Sequence, residues 1–330
     1  MKTRFLGNTG VKVSTLAFGT MSFGGEADET TSVAMFEACR AAGINLFDCA
    51  DVYNGGRAEE LLGRCVKSCR DDVLITSKAY FPTSNDVNAR GSSRFHLRRA
   101  VEASLRRLDT DRIDLFFLHR FDDHTALDET LRALDDLVHQ GKLLYLAASN
   151  FSAWQAMKAL SLSHHEGLAP IVALQPMYNL VKRQAEVELL PMAAAENLAV
   201  FSYSPLGGGL LSGKYGTEKK PEQGRLVQNA MYQIRYGHPS NTQIAEAFCA
   251  LAAELGHHPA TLAVAWVASH PAITAPLIGA RNLEQLRPLL AAAELELDAE
   301  TRQRLSALSL TPAPATDRNE EASQHNYGSR

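Results

Sequence analysis

The sequence is short of several things, and each shortage excludes a class. It has no surplus of basic charge: 33 Lys and Arg stand against 37 Asp and Glu in 330 residues, a formal net charge of −4. No global field favours nucleic acid, and no nucleic-acid partner is expected. No stretch approaches the roughly 18 apolar residues of a membrane span. The opening Met1-Lys2-Thr3-Arg4-Phe5-Leu6-Gly7 holds no apolar run of signal-peptide length. A cytoplasmic location without membrane contact is therefore expected. Cysteine is scarce: Cys39, Cys49, Cys65, Cys69 and Cys249 are odd in number and scattered, unlike a disulfide framework. Cys65 and Cys69 have no second ligand pair behind them, so no metal site is expected. No Pro/Gly/Ser-rich linker interrupts the middle of the chain, so residues 1–330 are read as one domain.

What the sequence does have is alternation. Short β-like runs fall at Leu16–Phe18, Asn45–Phe47, Val73–Ser77, Ile113–Leu118, Leu143–Ala148, Ile171–Leu174, Leu198–Tyr203 and Ala275–Ile278. Helical patterns begin near Thr30, Ala58, Ser93, Leu127, Ala153, Lys182, Thr242 and Leu283. Eight strand–helix repeats predict an α/β fold, a single (β/α)8 TIM barrel. The basic stretch Arg94 to Arg107 is interleaved with apolar residues and reads as one of these amphipathic helices. Three segments lie outside the repeats. Residues 4–13, around Gly7-Asn8-Thr9-Gly10, predict an N-terminal β-hairpin. Residues 205–239 form a long loop after strand 7. Residues 312–330 read as a loose C-terminal tail.

Barrel chemistry gathers at the C-terminal ends of strands. Asp48 follows the second strand, with Tyr53 in the next loop. Lys78 ends the third and His119 the fourth. Lys78 beside Tyr53 would lower the pKa of a phenol that is otherwise reluctant to lose its proton, and Asp48 would keep Lys78 charged. His119 would orient a substrate oxygen. The set describes protonation of a carbonyl oxygen as its carbon accepts a nucleophile. None of the four is an obvious nucleophile, so a hydride from a nicotinamide cofactor would fill that role.

These residues carry a resemblance. Phe47-Asp48-Cys49-Ala50-Asp51-Val52-Tyr53, Thr76-Ser77-Lys78, Ile113-Asp114-Leu115 through His119, Ser149-Asn150-Phe151, Gln175-Pro176-Met177-Tyr178-Asn179, Tyr203-Ser204-Pro205-Leu206 and Ile278-Gly279-Ala280-Arg281 together resemble the aldo-keto reductase family. The resemblance implies an NADPH-dependent oxidoreductase that reduces an aldehyde or ketone. Tyr53 would be the proton donor, with Asp48, Lys78 and His119 completing a tetrad. It also implies a cofactor cradle. Gly19, Thr20, Met21 and Asp48 would touch the nicotinamide half. Ser149, Asn150 and Gln175 would hold the carboxamide, and Tyr203 would stack on the ring. Ser204, Leu206, Gly207 and Lys214 would wrap the pyrophosphate. Arg281 would meet the 2′-phosphate and Gln285 the adenine, with Arg225 and Gly279 in the same set. A guanidinium grips a phosphate bidentately, which favours NADP over NAD.

Some positions depart from the family pattern. Cys49 stands where Thr is common and Asn54 where Gly often follows the tyrosine, and both are candidates for altering substrate fit. Pro288 and Leu289 replace residues that touch adenine in relatives. Tyr80, Phe81, Phe121, Tyr178 and Tyr232 are candidates for an apolar pocket. The pairs His164-His165 and His257-His258 read as helix-end surface residues. Gly208 to Tyr215 nearly spells a P-loop but ends in Tyr where Ser or Thr must bind magnesium, and no Gly-x-Gly-x-x-Gly follows a strand. A homo-oligomer stays open. So does a second role, an NADP(H)-binding regulatory or sensor subunit like the channel-associated relatives. Those have lost the histidine that this chain keeps as His119.

Overall fold

The computed structural model describes residues 1–216, 221–222 and 224–323. A two-stranded hairpin comes first, β1 (Thr3–Phe5) and β2 (Lys12–Ser14), paired antiparallel. Eight parallel strands then close into a barrel: β3 (Ala17–Gly19), β4 (Leu46–Asp48), β5 (Leu74–Ala79), β6 (Ile113–Leu118), β7 (Leu143–Ser149), β8 (Ile171–Gln175), β9 (Ala199–Ser202) and β10 (Ala275–Ile278). They neighbour one another in chain order, and β10 closes onto β3. Outside them lie α1 (Glu29–Ala41), α2 (Arg57–Val66), α3 (Arg94–Leu108), α4 (Leu127–His139), α5 (Ala153–Glu166) and α6 (Leu189–Ala195). After β9 come α7 (Arg225–Gln228), α8 (Ala230–Tyr236), α9 (Pro239–Glu254) and α10 (Pro259–Ala268). The helices α11 (Leu283–Leu290) and α12 (Ala299–Ser306) follow β10. Each expected strand exists: Ile113–Leu118 and Ala275–Ile278 match at both ends, and the others shift by a residue or two.

Two apolar layers hold the barrel. Leu46, Leu115, Phe117, Ala147, Ala173, Ala199, Phe201 and Leu277 fill the interior. The alternate residues Phe47, Phe116, Ala148, Leu174, Val200 and Ile278 face the helices. This is the period-2 alternation of a pleated strand buried on both faces. The interior column matters for function. Leu46 leads to Asp48, Thr76 to Lys78, and Leu115 and Phe117 to His119, so the last inward position of each of these three strands is polar.

The hairpin plugs the other end. Its Leu6 and Val13 are fully buried in the interior cluster. Gly7, at φ +52°, lies so close to the chain at the starts of β8 and β9 that a Cβ would stand 2.8 Å from the Asn197 carbonyl oxygen. Only glycine combines that backbone with that clearance.

Four expectations change. The helix expected near Lys182 begins only at Leu189, after a 3-10 turn at Gln184–Glu186. Arg183 and the Tyr178 hydroxyl both bind Glu186, at 2.8 and 2.6 Å, and hold that turn. The helix expected near Thr242 starts at Pro239 and ends at Glu254. A second helix, α10, follows Gly256 at φ +71° and was not foreseen. Its residues Ala260 to Val267 are all buried, so it lacks the amphipathic period that marks a surface helix. The long loop carries two short helices, α7 and α8. The expected tail forms a 3-10 turn at Asn319–Ala322, and residues 324–330 lie outside the described residues.

Candidate active site

Strand register brings the tetrad together. Asp48 aligns with Thr76 across β4 and β5, and Lys78 with Phe117 across β5 and β6. Lys78 is fully buried. Its Nζ donates to Asp48 Oδ2 at 2.6 Å, to the Cys49 carbonyl at 2.7 Å and to the Tyr53 hydroxyl at 3.4 Å. Asp48 Oδ1 accepts from Thr76 Oγ1 and from Gln175 Nε2, each at 2.8 Å. The carboxylate is thus gripped from two other strands, β5 and β8. A pair buried this deeply is stable only when its remaining hydrogen-bonding capacity is used, as it is here. His119 closes the set, its ring edge-on to Tyr53 with centroids 6.1 Å apart.

The electrostatics correct one expectation. Burial pushes the Tyr53 phenol up to about 12 and outweighs the neighbouring Lys78 ammonium, which pulls it down. The phenol therefore holds its proton at neutral pH. Burial alone would depress Lys78, but Asp48 and Tyr53 hold it above its usual value, so it stays charged. Burial and the Lys78 charge keep His119 well below the ordinary histidine range. The imidazole is neutral at physiological pH and hydrogen-bonds without carrying charge.

Tyr53 owes its place to Asn54, which sits at φ +49°. Asparagine tolerates this left-handed conformation better than most residues. Its Nδ2 donates to the carbonyls of Met21 at 2.9 Å and Phe23 at 2.8 Å. The loop after β4 is thereby tied to the loop after β3. Asn54 and Cys49 do not line the cleft: Asn54 is a tie between loops, and Cys49 is fully buried in the layer between strands and helices. Neither shapes substrate fit by direct contact.

A cleft of about 720 Å³ runs from Tyr53 and His119 toward Arg281 and Pro288. Gly19, Met21, Ser149, Asn150, Gln175, Tyr203, Ser204, Leu206, Lys214, Arg225, Gly279, Arg281 and Gln285 all line it. Thr20 and Gly207 do not. Thr20 is buried and donates to the Asp48 carbonyl at 3.0 Å, while Gly207 lies beneath the loop surface. Asn150 Nδ2 donates to the His119 carbonyl at 2.9 Å, and Tyr203 donates its hydroxyl to Asn150 Oδ1 at 2.8 Å. The residues expected to cradle a nicotinamide are therefore joined by hydrogen bonds to the tetrad.

Beyond Tyr203 the chain turns through Gly208 and Gly209, at φ +69° and +98°. A Cβ on Gly208 would stand 2.6 Å from the Tyr232 ring. Bare backbone of this kind is a cradle for phosphate oxygens. Lys214, Arg225 and Arg281 gather beside it. Burial, then the charges of Arg281 and Arg225, hold Lys214 below its usual value. Glu26 answers two of these cations, Arg281 at 2.6 Å and Arg225 at 3.4 Å. The surplus of positive charge fits a polyanion. Pro288 and Leu289 line the far end as an apolar wall.

Of the five aromatic candidates, Phe81 and Tyr232 line the cleft. Tyr178 is buried against Trp266, and Phe121 packs on Phe151 and Trp154. Tyr80 meets Phe81 edge-on. His257 and His258 sit at helix ends as expected, His257 half-buried and His258 exposed. His258 caps α10 by accepting from the Ala260 N–H, and it lines the cleft. The sequence reading missed Glu26, Arg120, Met231 and Arg235. Arg120, directly after His119 at a strand end, was visible in principle. The other three lie in loops and short helices that no periodicity assigns to the rim.

The sequence model of the Aldo/keto reductase family matches residues 15–309. An uncharacterized oxidoreductase of Bacillus subtilis (strain 168) is 36% identical over 334 residues, spanning 96% of this chain and 98% of that protein. A probable voltage-gated potassium channel subunit beta of Oryza sativa subsp. japonica is 34% identical over 87% of this chain and 89% of its own length. A protein of the same description from Arabidopsis thaliana is 33% identical over 89% of this chain and 92% of its own length.

Proposed function

The chain belongs to the aldo/keto reductase family, and from that premise we propose that it reduces an aldehyde or ketone to an alcohol with NADPH, Tyr53 acting as general acid. The observation that carries this is the buried Lys78–Asp48 pair set directly beneath the Tyr53 hydroxyl. NADPH bound in the cleft would supply the hydride. The rest belongs to the chain. Neutral His119 holds the substrate oxygen and turns it toward Tyr53. As negative charge grows on that oxygen, the phenol hands over its proton. The phenolate left behind lies beside the Lys78 ammonium, which Asp48 keeps charged. This stabilises charge where it develops, over an ion pair already buried and assembled.

NADP rather than NAD follows from Arg281 and Lys214, whose cations suit a 2′-phosphate. The glycine-lined turn and the surplus cations fit the rest of the cofactor. A cytoplasmic location accords with NADPH use. The test is Tyr53→Phe. Reduction of 4-nitrobenzaldehyde, followed by NADPH absorbance, should fall about 10³-fold, near the range for loss of a general acid. The NADPH dissociation constant should stay within about twofold, since only a hydroxyl has been removed from the floor. Full activity in this variant would sink the mechanism.

The likeness to the two plant channel-subunit proteins supports a second reading, an NADP(H)-binding regulatory or sensor subunit. It predicts tight NADPH binding with no absorbance decay across a panel of carbonyls. The retained His119, placed against Tyr53, favours turnover.

A further inference from the structure

The cations along the cleft fall into two groups. At the cofactor end, Arg225 and Arg281 share the Glu26 carboxylate. Arg120, exposed just beyond β6, and Arg235, half-buried on α8, also line the cleft, and among the described residues neither has a carboxylate within ion-pair distance. Arg120 follows His119 directly, its guanidinium 5.9 Å from the Tyr80 ring centroid. Arg235 reaches in from α8, which follows a strand three places further round the barrel. It is half-buried and lies 5.3 Å from the Tyr232 ring centroid. Its charge also pulls down the phenol of Tyr203, the ring at the nicotinamide position, against the opposing effect of burial. A guanidinium in this situation has lost part of its hydration and gained only aromatic faces in return. Its planar fork still matches a carboxylate.

We propose that the mouth of this cleft selects carbonyl substrates that carry a carboxylate, with Arg235 and Arg120 as the residues that receive it. The inference rests on the reductase reading of the floor, where Tyr53 and His119 take the carbonyl oxygen. Met231 and Phe81 supply apolar wall to the same cleft. A substrate of this class is one short organic skeleton with a carbonyl at one end and a negative charge at the other.

The same anion chemistry has a second source, the cofactor's own phosphates, because Arg225 lies 5.5 Å from the same Tyr232 ring. The experiment separates them. We compare kcat/KM for 4-carboxybenzaldehyde and neutral 4-nitrobenzaldehyde in the wild type, Arg235→Met, Arg235→Lys and Arg120→Met, and titrate NADPH by fluorescence. Terephthalate is also titrated calorimetrically into the NADPH-loaded proteins. The wild type should prefer the carboxylate aldehyde by about tenfold, and salt should erode that preference. Arg235→Met should abolish the preference through KM, and Arg120→Met should reduce it. Arg235→Lys should keep part of it. The neutral aldehyde and NADPH affinity should be unmoved. Equal rates for both aldehydes in the wild type, or a preference that survives both methionine variants, would overturn the proposal. So would a weakening of NADPH in Arg235→Met with both aldehydes falling together, which would assign the residue to the cofactor. If no protein reduced either aldehyde, the reductase reading would fail. Terephthalate affinity would then decide for or against the anion site alone, by whether Arg235→Met lowers it.

Discussion

The two ends of the cleft are built on different principles. At the tetrad end, side chains on neighbouring strands lock one another: Asp48 is held from β5 and β8, and Lys78 spends its donors on Asp48, the Cys49 carbonyl and Tyr53. At the end proposed to hold the cofactor, the groups come from a loop of glycines, short helices and one bridging carboxylate, Glu26. The first end is assembled before any ligand arrives, and the second is held by an ion pair that a ligand can replace. The lesson is that a reacting centre is served by dipoles fixed in advance, whereas cations awaiting an anion can be held by a carboxylate that the anion would displace.

The largest effect should come from breaking the rigid end. Lys78→Met leaves Asp48 buried without its counter-charge, a loss of about 3–5 kcal/mol by the usual cost of such an orphan. It also removes the cation that eases proton release from Tyr53. Carbonyl reduction should fall at least as far as in Tyr53→Phe, and urea unfolding should report the lost stability. Retained activity would mean that the buried pair serves stability alone.

The ion-paired end should show a smaller, two-signed effect. Arg281→Met should weaken NADPH by roughly tenfold and leave NADH nearly untouched, the expected loss of one charge-assisted phosphate contact. Glu26→Gln should act oppositely. With the competing carboxylate gone, NADPH should bind severalfold more tightly, most visibly at low salt. Unchanged NADPH binding in both variants would remove Arg281 from the phosphate site.

The smallest effect probes a group between the two regimes. Asp51 lies in the loop that carries Tyr53, and neither of its buried carboxylate oxygens has a hydrogen-bond partner among the described residues. Burial, then the nearby Glu59, pushes its pKa up to about 7, against the opposing pull of Arg107. In the unfolded chain it would titrate near 3.9. Between those values the folded protein holds a proton that the unfolded chain has released. Stability from this group is therefore full at low pH and is lost as pH rises from about 4 to about 7. Asp51→Asn should flatten that slope. At pH 8 it should raise Tm by a few degrees, as roughly 1–2 kcal/mol would in a domain of this size. An identical pH–stability curve in wild type and variant would show that Asp51 ionises without cost.

How much of this the sequence displayed differs between the same two ends. The tetrad was legible because strand alternation fixes which residues face inward, and Asp48, Lys78 and His119 stand at the last inward position of three successive strands. The side chains assigned to a cofactor were named through family resemblance, and most of them line the cleft. Glu26 and Arg235 were not, because their approach depends on how loops fold back over the rim. The split between α9 and α10 was hidden by α10 being apolar all round. The net rise of the Tyr53 phenol was hidden as well. A sequence shows that a lysine stands near a tyrosine but not how dry their surroundings are.

The hairpin that plugs the barrel carries a practical meaning. Leu6, Gly7 and Val13 seal the end where the strands start, and every cleft residue belongs to the opposite rim. A protein tethered to a bead or electrode through Met1 would therefore present its mouth outward, with the whole depth of the barrel as spacer. Fusion at the start of the chain should cost a reactor or biosensor little, provided Leu6 and Val13 remain seated.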